Sequence, residues 1–115
     1  MEITTYVKIA PLWRVNQIFL LKLIVIECDQ TTISFASISE KIATMTPGKR
    51  KVYDLSCQPH HLYKILDQLV QSGHIHACGY QKGPSAGKLY QPTELGIAYI
   101  QAFLANLPEK KGFRM

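Results

Sequence analysis

Between Gln58 and Ile75 the apolar residues Leu62, Ile65, Leu66, Leu69 and Val70 recur at the three- and four-residue spacing of one helix face. His61, Tyr63, Lys64, Gln68 and Gln71 fall outside that face, so the pattern predicts a short helix with one side on a core and a polar side turned outward. Pro59 suits its first turn, where the missing N–H has no helical partner in any case. Gly73 follows the last turn, where a residue able to take positive φ ends a helix. The spacing then changes to alternation, and His74 to Gln81 is predicted as a strand.

The flanking segments fill in around this unit. Leu12 to Glu27 has helical length but is apolar nearly all the way round, from Trp13, Val15 and Ile18 through Leu23 to Ile26. A surface helix needs only one apolar stripe, so this one calls for cover on a further side, with a second subunit as its source. The β-branched run Ile24-Val25-Ile26 leaves an extended end to the segment as the alternative. Upstream, Ile3, Thr5, Val7 and Ile9 share one parity and predict a strand or extended arm over 1–10. Cys28 to Ser34 is a polar connector, and Ser37-Ile38-Ser39-Glu40 has the form of a capping box that opens a helix ending at Thr46-Pro47-Gly48. Lys49 to Ser56 is then expected as a loop, with Ser56 capping the helix that follows.

Lys88 to Gln91 predicts a second strand, joined to the first across the turn-forming segment from Lys82 to Gly87. Thr93 as a cap and Glu94 in the first turn open a last helix that runs to Pro108. The order of helices and hairpin implies an α+β winged helix-turn-helix, one domain over 11–107 with a polar, basic tail at 108–115.

Charge sharpens this picture. From Lys41 to Lys88 seven basic residues face only Asp54 and Asp67, a net +5, and the remainder carries six of each sign. The excess positive charge therefore surrounds the polar-faced helix and the hairpin, as a phosphate-facing surface would require; a merely solvated basic surface fits the count equally well. Three sparsely placed cysteines, Cys28, Cys57 and Cys78, argue against a disulfide scaffold and for a reducing compartment. No secretory signal is visible, and the most apolar run, Ile18 to Ile26, is broken by Lys22 and far short of a membrane span. A cytoplasmic protein without membrane contact is expected.

Candidate chemistry is narrow. His60, His61, Lys64 and Gln68 carry groups that hydrogen-bond base edges or phosphates, and Tyr63 has a hydroxyl suited to a phosphate oxygen. Lys49, Arg50, Lys51, Lys82 and Lys88 would add affinity without reading sequence, and with it a strong salt dependence. His74, His76 and Cys78 share one strand parity and are the one metal-like set, but they would span about 13 Å along a strand, too far to converge on one ion. Exposed strand histidines are the expected reading, with no metal and no cofactor. No phosphate loop, HExxH or nucleophile elbow is present, and Cys57 with His60 is a weak dyad, so no catalytic residue is assigned and the chain is not read as an enzyme.

The run Leu62-Tyr63-x-x-Leu66-x-x-Leu69-x-x-x-Gly73-x-Ile75, followed by Tyr90-Gln91-Pro92-Thr93-Glu94-Leu95-Gly96, resembles the PadR-type winged-helix transcriptional regulators. In that family a tyrosine sits early in the recognition helix, and a Tyr-x-x-Thr-x-x-Gly run leads from the wing into the dimerisation helix. The resemblance covers roughly Leu12 to Leu107. It implies double-stranded DNA as partner, with the helix from Pro59 to Ser72 in a major groove and the wing lysines on flanking phosphates.

The resemblance further implies a homodimer built through the first and last helices, for which Trp13, Phe19, Leu20, Leu23, Tyr99, Ile100, Phe103, Leu104 and Leu107 are the candidates. Two-fold symmetry then implies a pseudo-palindromic promoter site, and occlusion of that site implies repression. The family usually has a longer C-terminal region than the stretch between Thr93 and Pro108, and the Lys49-Arg50-Lys51 and His60-His61 groups lie outside its pattern. Within the group, the compact domain also looks like the cyanobacterial circadian period-extender type, which implies clock genes as targets. The rival readings are a winged helix used for protein contact and a metal-responsive regulator.

Overall fold

In the computed structural model the residues described are 14–28, 32–80 and 87–105. The expected N-terminal arm, the C-terminal tail, Lys82, Trp13 and Leu107 lie outside them. The described residues form five helices and three strands in the order α1 (Val15–Cys28), β1 (Ile33–Ser34), α2 (Phe35–Ala43), α3 (Pro47–Val52), α4 (Pro59–Gln71), β2 (Ile75–Tyr80), β3 (Lys88–Pro92) and α5 (Glu94–Ala105). The sheet is antiparallel with β3 in the middle, Ile33 opposite Tyr90 on one side and Ala77 opposite Tyr90 on the other. This is the α+β winged-helix arrangement, with β2 and β3 as the wing strands.

The core is made by α1, α2, α4 and the sheet, with Ile100 added from α5. Leu20, Leu21 and Ile24 from α1, Ile38 and Ile42 from α2, and Leu62, Ile65, Leu66 and Leu69 from α4 are buried together with Ile75 and Tyr90. Each aliphatic side chain of that kind contributes about 2 kcal/mol when removed from water, which makes this contact the main support of α4. The helix ends as Gly73 predicts. Gly73 takes φ +85°, its N–H donates to the Val70 carbonyl and the His74 N–H to that of Leu69, the paired bonds of a Schellman motif.

Several local expectations are overturned. The Ile24-Val25-Ile26 run stays helical to Cys28, with Ile24 fully buried and Ile26 exposed. Helix α2 begins three residues before the expected capping box: Ser34 is the cap, and its Oγ accepts from the Ser37 N–H at 3.1 Å. The connector before it contains β1, which pairs with β3.

The basic triplet is on a helix and not a loop. Thr46 Oγ1 accepts from the Lys49 N–H at 3.2 Å and Pro47 occupies the first turn, so Thr46-Pro47 starts α3 where it was expected only to stop α2. Ser56 does not cap α4; Gln58 holds the cap position without a side-chain bond, and Ser56 Oγ accepts from the Gln58 N–H just before it.

Strand β2 begins at Ile75, and His74 precedes it as a buried residue. The strand is interrupted at Cys78, where the register with β3 shifts and Gly79 adopts φ +116°. At the start of α5, Thr93 is the cap the sequence indicates, its Oγ1 accepting from the Gly96 N–H at 3.0 Å and donating to the Gly73 carbonyl at 2.7 Å. No helix among the described residues is long and apolar enough to cross a membrane.

Candidate nucleic-acid interface

The buried side of α4 fixes which side faces out. With Leu62, Ile65, Leu66 and Leu69 on the core, the residues half a turn away are His60, Lys64, Asp67 and Gln71, and all four are exposed. The outward stripe therefore keeps two of the expected readers, His60 and Lys64. Asp67 and Gln71 join them. Gln71 was expected on the outward side, whereas Asp67 was not singled out, though its place three residues after Lys64 is the helical repeat that marks a shared face.

His61 and Gln68 lie on the flank towards α1 and are half-buried. Gln68 Oε1 accepts from Gln17 Nε2 at 3.2 Å, and His61 Nε2 is 3.5 Å from the Asp54 carbonyl oxygen. Both side chains thus tie α4 to its neighbours. Tyr63 lies on the opposite flank, stacked on Phe35 with ring centroids 3.9 Å apart and planes 8° apart. The Lys88 ammonium stands 5.8 Å from the Tyr63 ring centroid, within cation–π range. A Cβ at Gly87 would lie 3.2 Å from that of Phe35, so the foot of the wing, the start of α2 and helix α4 meet around one tyrosine.

The triplet divides in function. Lys49 and Lys51 are exposed, at the C-terminal end of α3 where positive charge is favoured by the helix dipole. Arg50 turns back: its Nη1 donates to the carbonyl oxygens of Met45 at 2.6 Å, Ile42 at 3.3 Å and Ala43 at 3.4 Å. It closes the end of α2. Beside it, Arg50, Ser56, Cys57, Gln58 and Pro59 line an open hollow of about 380 Å³ at the first turn of α4.

The His-x-His-x-Cys set does not assemble. His74 is fully buried, its ring edge-on to Tyr99 with centroids 5.3 Å apart, while His76 and Cys78 are exposed on β2. The expectation of an exposed His74 fails because its backbone completes the α4 terminus and turns the ring inward. Ser72 Oγ lies 2.6 Å from His74 Nδ1, and burial lowers the His74 pKa from its ordinary value. Burial pushes the Cys28 thiol up to about 11, with smaller contributions from Cys78 and Glu27, and that of Cys78 upward as well. Among the described residues no group of three histidine, cysteine or carboxylate side chains is placed to hold a metal ion. Cys57 and His60 are both exposed.

Of the residues expected at a dimer contact, Leu20 and Ile100 are covered by the chain itself and offer nothing to a second copy. Phe19, Leu23, Tyr99, Phe103 and Leu104 are half-buried, Phe19 against Tyr53 with centroids 4.6 Å apart. Val15 and Ile26 are exposed on α1.

Among solved structures, the chain is similar to PadR of Bacillus subtilis in complex with operator DNA, at 16% sequence identity and a TM-score of 0.58. The match covers 85% of this chain and 49% of the other, so the chain spans about half the length of that protein. No family model and no curated protein matches the sequence. The fold is PadR-like.

Proposed function

We propose that the chain is a DNA-binding transcriptional regulator that sets α4 in a major groove. The observation that carries the reading is the exposed polar stripe of α4, accompanied by exposed Lys49 and Lys51 on the preceding helix and by Lys88 beside Tyr63 of α4. A helix is the element a major groove admits, and cations on the neighbouring elements suit the phosphate strands that border the groove. The first turn of α4 has no side-chain cap, and with Pro59 lacking an N–H and that of His61 bonded to the Gln58 carbonyl, the His60 N–H is the backbone donor that can meet a phosphate there. The PadR-like fold, met in a protein held on operator DNA, supports the same reading.

The finer proposal is a homodimer on a pseudo-palindromic site, acting as a repressor by occlusion in the cytoplasm. The half-buried aromatic and aliphatic residues of α1 and α5, with exposed Val15 and Ile26, support a second copy as cover. Clock genes as targets rest on the compactness of the domain alone.

The test is fluorescence anisotropy of the protein on its own upstream DNA and on an unrelated duplex, at about 50 and about 200 mM salt. Preference for one duplex that persists at the higher salt and falls with Lys64→Ala is the expected result. Equal binding to both, lost with salt, would reduce the role to nonspecific attachment. Absence of binding to either would move a protein-contact role ahead. Sedimentation of the free protein checks the dimer, with Phe103→Glu expected to yield monomer.

A further inference from the structure

We propose that Asp67, acting beside Lys64, is a base-reading residue that makes the chain select a half-site carrying a cytosine paired with, or next to, a guanine. The proposal rests on the reading of α4 as the helix that enters the groove, and it assigns what that helix recognises.

Asp67 is exposed on the outward stripe of α4, three residues after Lys64, and its carboxylate has no hydrogen bond or ion pair with the described residues. An unpaired carboxylate at the centre of a surface meant for phosphates weakens attachment to any duplex, because like charges repel across the interface. That cost is offset when the carboxylate meets a hydrogen-bond donor. The major groove offers two, the amino groups of cytosine N4 and adenine N6, and a carboxylate pairs with the cytosine amino group. Lysine pairs with the O6 and N7 acceptors of guanine.

Three residues along a helix advance about 4.5 Å and leave the two side chains about 60° apart around its axis. A base pair advances about 3.4 Å along each strand. Side by side, Lys64 and Asp67 therefore reach one G·C pair or two adjacent pairs. Gln68, the residue otherwise suited to adenine, is held by Gln17, which leaves the charged pair as the centre of the stripe.

The experiment is selection from a randomised duplex pool with the full chain, Asp67→Ala, Asp67→Asn and Lys64→Ala, with circular dichroism to confirm that each variant folds. The expected result is a selected motif in which one cytosine per half-site loses about fivefold or more of its enrichment in Asp67→Ala. A neighbouring guanine loses its enrichment in Lys64→Ala. Asp67→Ala also binds an unrelated duplex more tightly than the parent does, since a repulsive charge is gone.

If Asp67→Ala selects the same motif at the same enrichment, the assignment fails and the regulator reading stands. A parent protein that binds duplex DNA without selecting any motif overturns the assignment and leaves nonspecific attachment. A parent that binds no DNA from the pool overturns both readings.

Discussion

Asn16 Nδ2 donates to both the backbone carbonyl of Asp54, at 3.2 Å, and its carboxylate Oδ2, at 3.1 Å. Asp54 is the residue with φ +56° that ends α3: its N–H donates to the Lys51 carbonyl and the Leu55 N–H to that of Arg50. These are the same paired bonds that Gly73 makes after α4, formed here without glycine. A buried asparagine of α1 therefore holds the turn that delivers the chain to α4. Asn16→Ala is expected to cost about 2 kcal/mol of stability in urea unfolding, because two acceptors lose their donor. Asn16→Asp should cost more, as it sets two carboxylates against each other. Asp54→Gly should stay within about 1 kcal/mol of the parent, trading the carboxylate bond for relief of the left-handed backbone.

Gly96 is the other glycine that a neighbour dictates. A Cβ there would lie far inside contact of the His74 carbonyl oxygen and 3.2 Å from Leu21 Cδ1. Gly96→Ala should therefore destabilise the protein by about 3 kcal/mol, read from calorimetry, by forcing α5 away from the α4 terminus. A loss below about 0.5 kcal/mol would show that α5 moves freely there.

These contacts explain why so much of the fold is written in two short runs. Leu62, Leu66 and Leu69 seat α4, Gly73 ends it, Tyr90 is wholly buried, Thr93 binds the Gly73 carbonyl and Gly96 allows close approach to His74. Each requirement selects a residue type at a fixed spacing, and such requirements are legible in a sequence.

What was not legible depended on competition between equivalent signals. Ser34 and Ser37 both suit a helix start, and burial of Ser34 on β1, seen only once β3 is beside it, favours the earlier one. Thr46-Pro47 serves as well to open a helix as to close one. At the interface, exposure could be inferred for His60 and Lys64, but the use of Gln68 and Arg50 as internal ties depends on Gln17 and on the end of α2, which periodicity does not place.

His74 should make stability depend on pH. The Ser72 hydroxyl donates to the Leu69 carbonyl at 3.0 Å, so His74 Nδ1 carries the proton in its contact with Ser72 Oγ, and the neutral ring turns a bare Nε2 inward, where the described residues give it no partner. Burial lowers the folded pKa, while the unfolded ring titrates near about 6.5. Above that pH neither state binds the proton and the stability is fully present. As the pH falls from about 6.5 towards the lowered folded value, the unfolded state takes up the proton first and stability is lost. The difference in urea midpoint between the parent and His74→Gln should be flat above about pH 6.5 and move against the parent below it. A difference independent of pH would assign the ring a purely steric role.

The basic triplet separates stability from DNA affinity. Arg50 Nη1 meets three carbonyls at the end of α2, whereas Lys49 and Lys51 project from α3 into solvent. Arg50→Ala should lower stability by about 1.5 kcal/mol, since a charged donor is removed from carbonyls that have few other partners. Arg50→Lys should recover only part of this, because a single ammonium cannot reproduce the fork of the guanidinium. Lys49→Ala and Lys51→Ala should leave thermal unfolding unchanged and each reduce the slope of log affinity against log salt by about 1 where the side chain neutralises a phosphate. If Lys49→Ala and Lys51→Ala leave both the slope and the affinity unchanged, the DNA path does not cross α3, and the phosphate contacts would have to come from Lys64 and the wing.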